Sequence, residues 1–75
     1  MENPELDRLR QAYLDAVDKW RAAIRHEEEL ASPEHTMGDF EAWDRAHLSE
    51  VSARENAKRA RDEYKDAVRH VLYGF

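Results

Sequence analysis

The sequence predicts an all-α fold: an antiparallel two-helix hairpin (long helix, short turn, longer helix) that pairs with a second copy into a four-helix bundle. Three observations predict it. Of 75 residues, 39% are charged, with only two Gly and two Pro among them, a composition suited to long amphipathic helices rather than to strands or a barrel. Apolar residues recur at alternating spacings of three and four along two stretches, the period of one helical face. Ser32-Pro33 separates those stretches, because proline lacks an amide and biases the residue before it away from helix. Two Trp, three Tyr and two Phe supply the large apolar side chains that a disordered segment lacks. The whole chain, 1–75, is thus one helical-hairpin domain, with a helix over about 4–31, a turn over about 32–37 and a helix over about 38–73.

The first helix starts at Asn3-Pro4-Glu5. Asn caps free amides, Pro is preset for the first helical position, and an acid suits the positive end of the helix dipole. Its stripe is Leu6, Leu9, Tyr13, Ala16, Trp20, Ala23, Glu27 and Leu30, widened by Val17 and Ile24. Thr36 and Asp39 form a capping pair for the second helix, and Gly74 suits its C-terminal cap. The second stripe reads Phe40, Trp43, His47 or Leu48, Val51, Ala53, Ala57, Ala60, Tyr64, Ala67, Val68, Val71 and Leu72. Its Ala-rich middle lets the helices approach closely where Tyr13 and Trp20 protrude from the first.

A short turn makes the helices antiparallel neighbours, so residues whose numbers add to roughly 68–70 lie level. Leu30 then meets Phe40, and Tyr13 meets Ala57. At about 1.5 Å per residue the second helix outruns the first by roughly 10 Å, leaving Val68, Val71, Leu72, Tyr73 and Phe75 without cover. One seam is a small core for 75 residues. Self-association through Leu6, Leu9, Tyr13, Trp20, Tyr64, Val68, Val71, Leu72, Tyr73 and Phe75 would complete it, giving a homodimer.

The formal net charge is −5, which opposes binding to a phosphate backbone, because that affinity grows with the cations placed on it. Nucleic acid is therefore not expected as a partner. The charge is concentrated: from Glu27 to Glu50 eight acids face Arg45 alone, whereas from Val51 onward six bases outweigh four acids. Arg54, Lys58, Arg61, Lys65 and Arg69 form a basic stripe, but interleaved acids neutralise it. The acidic turn end, with Glu28, Glu29, Glu34, Asp39 and Glu41 around Trp43, is the expected surface for a protein partner, an aromatic beside charge being the usual makeup of a hot spot.

Glu27, Glu28 and Glu29 break a local rule, since the C-terminal end of a helix prefers cations. The antiparallel register brings Glu27 near Asp44 and His47, which share a helix face at i, i+3. Glu27, Asp44 and His47 are accordingly candidate metal ligands for a carboxylate/histidine bundle with its site near the turn end. The main expectation remains that no cofactor is needed. There is no Cys, no Gly-rich phosphate loop and no nucleophile-base pairing at useful spacing, so enzymatic activity is not expected. Apolar runs stop at three residues, too short for a signal-peptide core or a membrane span, and a cytoplasmic location without membrane partners is the default. The function expected is that of a small non-catalytic structural or protein-interaction module. Metal binding is one alternative. Regulation of a larger protein through the C-terminal apolar patch is another.

Overall fold

The computed structural model describes residues 3–31 and 34–74. These residues form two helices and no strand, α1 over Pro4–Leu30 and α2 over Met37–Tyr73, packed as a hairpin. The rod measures 55 × 19 × 14 Å, and its long axis is the length of α2 alone, 37 residues at about 1.5 Å each. Its radius of gyration is 17.1 Å, against about 11 Å for a compact domain of this length.

The helix ends follow from their caps. The Asn3 side chain accepts from the Leu6 amide at 3.2 Å, and Pro4 opens α1 with Glu5 and Asp7 in its first turn. α1 ends at Leu30, one residue before the expected limit, and Ala31 closes it by donating to the Glu28 carbonyl at 3.1 Å. At the start of α2, Thr36 and Asp39 cap reciprocally: the Asp39 amide donates to Thr36 Oγ1 at 3.1 Å and the Thr36 amide to Asp39 Oδ2 at 3.2 Å. This box places the first helical residue at Met37, one earlier than expected. Gly74 ends α2 in the left-handed region, at φ 79°, its amide donating to the His70 carbonyl at 2.8 Å.

The predicted α1 stripe is the buried face: all eight of its repeat positions, with Val17 and Ile24, are half-buried. The α2 stripe differs at its ends, where Phe40, Val71 and Leu72 are exposed, and in one internal segment. Ala46 is buried at 5% exposure and Glu50 is half-buried, whereas His47 and Leu48 are exposed. The seam therefore reads Trp43, Ala46, Glu50, Ala53, Ala57, Ala60, Tyr64, Ala67, an unbroken alternation of three and four. Ala57, at 3% exposure, is the most buried of the described residues and lines one groove with Tyr13, Val17 and Trp20.

Tyr13 stacks on Tyr64, with ring centroids 6.5 Å apart and planes 29° apart. Helical side chains lean toward their own N-terminus. In an antiparallel pair they lean past each other, so ring partners add to a larger number than the backbones that lie level. Phe40, placed opposite Leu30 by the simple register, is instead 60% exposed. The excess length of α2 emerges at both ends: Met37 and Phe40 precede the seam, and Val71, Leu72 and Tyr73 outrun it, all exposed.

Candidate functional site

The side chains that break the apolar pattern gather near the turn end. Glu27 occupies a seam position in the last turns of α1, and no basic residue stands in its last turn. His47 follows the buried Ala46, so it flanks the seam, and one turn later Glu50 enters the seam itself. His47 Nδ1 lies 3.0 Å from Glu27 Oε1, a hydrogen bond between the helices when that nitrogen carries the proton. Ligand-capable atoms of Glu27, His47 and Glu50 all lie within 4.8 Å of one another.

Glu50 is a half-buried charge of the seam, its side chain 14% exposed against 25% for Glu27. Trp20 Nε1 donates to its Oε1 at 3.4 Å. Arg54, one turn onward, places Nη2 3.5 Å from Oε2, close enough to pair charges but without hydrogen-bond geometry. Glu50 Oε2 and Arg54 Nε are consequently both buried with no hydrogen-bond partner. A buried polar atom that makes no hydrogen bond costs free energy, which the neighbouring opposite charge offsets only in part.

Asp44 does not join the three-residue cluster. It lines an adjoining open groove with Glu27, Phe40, Trp43 and His47. Of the predicted ligands, Glu27 and His47 thus meet directly, Asp44 borders them, and Glu50 takes the place assigned to Asp44. Continuing the α2 repeat backward from Ala57 and Ala53 reaches 50, 46 and 43, a signal that the charge at position 50 obscures.

The acidic surface is distributed as the sequence implies. Glu28, Glu29, Glu34 and Glu41 are exposed around the turn, while the Asp39 carboxylate is engaged in the α2 cap. Trp43 is half-buried, its ring stacked on His35 at 5.4 Å with planes 8° apart. Four of the five cations of the basic stripe pair with acids within 4.0 Å: Arg54–Glu50, Lys58–Glu55, Arg61–Asp62 and Arg69–Asp66. Of the residues assigned to self-association, Leu6, Leu9, Tyr13, Trp20, Tyr64 and Val68 are half-buried by the hairpin's own packing. Val71, Leu72 and Tyr73 are exposed; Phe75 lies outside the described residues. Tyr64, Val68, Leu72 and Tyr73 line a groove made from α2 alone, as an uncovered overhang requires.

Comparison of the chain with protein-family models, curated proteins and solved structures returns no match. Among the described residues no helix is long and apolar enough to cross a membrane.

Proposed function

We propose that the chain is a small non-catalytic interaction module that self-associates through its apolar helix faces into a homodimeric four-helix bundle. The observation that carries this reading is the exposed apolar end of α2, where Val71, Leu72 and Tyr73 stand 55–67% exposed. The core supports it: Ala46 and Ala57 are the buried hydrophobic residues, and no large side chain is fully buried among the described residues. The accessible surface of 6053 Å² exceeds the roughly 4,800 Å² of a globular monomer of this mass. The excess, about 1,200 Å² per chain, is more than the roughly 800 Å² that a standard dimer interface removes from each partner. A second hairpin laid on the same faces would cover the half-buried stripe and the overhang together, leaving the acidic turns free for another protein.

Sedimentation equilibrium of metal-stripped protein at micromolar concentration tests this, with twice the chain mass as the expected result. A well-folded monomer would overturn self-association. The C-terminal patch would then remain as the docking point for a larger protein's apolar helix, which a pull-down with the intact chain would seek.

A further inference from the structure

We propose that Glu27, His47 and Glu50 bind a first-row divalent transition cation, of which zinc is the one to try first. The site joins two carboxylates and one imidazole from facing helices, with donor atoms within 4.8 Å of one another. Around a tetrahedral zinc with bonds of about 2.1 Å, neighbouring donors lie roughly 3.4 Å apart. The donors would draw together by rotation of the two carboxylates and of the exposed imidazole. His47 and Glu50 stand at i, i+3 on one face of α2, and Glu27 meets His47 across the seam at 3.0 Å.

Three features favour a cation here over a purely structural cluster. The imidazole beside carboxylates selects transition ions over magnesium or calcium, which prefer oxygen alone. Glu50 Oε2 is buried and makes no hydrogen bond, its one charge partner among the described residues being Arg54 Nη2 at 3.5 Å, so a metal drawing on this carboxylate would compete with a single, loosely placed guanidinium. The unopposed glutamates at the C-terminal end of α1 concentrate negative potential where the helix dipole already adds its own. His47 is exposed, so an ion can arrive without opening the hairpin. Asp44 borders the same groove and supplies a further carboxylate, with water completing the shell.

Titration of zinc chloride into metal-stripped protein, followed by calorimetry and repeated with cobalt(II) absorption, reads the site directly. Saturable binding of one ion per chain is expected. His47→Ala and Glu27→Gln should each weaken it by at least about tenfold, since even outer-shell losses cost ten- to a hundred-fold. Arg54→Gln should tighten it by removing the cation that competes for Glu50. Circular dichroism confirms that each variant remains helical. All ligands belong to one hairpin, so Leu72→Asp should leave the affinity unchanged, which separates this proposal from self-association. No saturable binding by the folded wild type, or binding that His47→Ala leaves intact, overturns it.

Discussion

Trp20 and Glu50, thirty residues apart in the chain, meet inside the seam, the indole Nε1 donating to the carboxylate Oε1 at 3.4 Å. The long bond and the orphaned Oε2 describe a carboxylate held by geometry more than by strong pairing. Replacing a buried, imperfectly paired ion with a hydrophobe of similar volume is often neutral or stabilising, by about 1–4 kcal/mol. Glu50→Leu should therefore raise the thermal midpoint of metal-free protein, Arg54 being able to turn its head to water. Trp20→Phe should lower stability by about 1 kcal/mol, by removing the donor. In the Glu50→Leu background that cost should largely vanish, and chemical denaturation of the four proteins in the cycle measures the coupling.

The approach of the two helices depends on Ala57, the most buried of the described residues, set among Tyr13, Val17 and Trp20. Ala57→Leu adds three carbons at a position only 3% exposed, where the helices meet, and should destabilise by about 1–3 kcal/mol. The same change at exposed Ala22 should shift stability by less than about 0.5 kcal/mol. Urea midpoints of the two variants make the comparison. Equal effects would show that the seam is looser than the burial of Ala57 implies.

Asp39 has two assignments, partner surface and cap, and the cap is the one visible in its hydrogen bonds. Thr36→Ala removes the acceptor for the Asp39 amide and should cost about 1 kcal/mol, the usual value of an N-cap. Hydrogen exchange should locate the loss in the first turn of α2, with the Tyr64 region protected as before.

At the far end of α1 the Arg8 guanidinium donates from Nε to Glu5 at 3.1 Å and from Nη2. That hydrogen bonding, reinforced by charge attraction, holds the Glu5 carboxyl below its ordinary value. A depressed folded-state value means that the interaction stabilises the helix above the unfolded Glu value and is lost as pH falls through the folded one. Both side chains are exposed, so the effect belongs to the first turns and should shrink with added salt. Carboxyl-carbon NMR titration should find Glu5 titrating low in the wild type and returning to its ordinary range in Arg8→Gln.

Both helices, their caps and the whole α1 stripe were legible because they rest on local chemistry: Asn3-Pro4, Thr36 with Asp39, Gly74, and a repeat unbroken from Leu6 to Leu30. Two kinds of feature were not. Glu50 hid the α2 repeat, since a charge at a seam position reads as surface until its partners, Trp20 and Arg54, are seen beside it. The Tyr13–Tyr64 stack and the exposure of Phe40 depend on how side chains lean past one another, which residue spacing does not encode. The meeting of Glu27 with His47 was legible from the antiparallel register; the exchange of Asp44 for Glu50 follows from the corrected repeat.

The overhang supplies the sharpest test of assembly. Leu72 is 67% exposed and shares a groove with Tyr64, Val68 and Tyr73 to which α1 contributes no residue. In a lone hairpin, Leu72→Asp would exchange an exposed apolar side chain for an exposed polar one and change stability by less than about 0.5 kcal/mol. In a bundle that buries the overhang, the same change forces a carboxylate into an apolar interface, at several kcal/mol per dimer because two copies are affected by symmetry. The expected result is a helical protein of half the wild-type mass by sedimentation, with a thermal midpoint that no longer rises with protein concentration. A dimer that survives the substitution undiminished would remove this end of α2 from the interface and place the contact on the half-buried stripe alone.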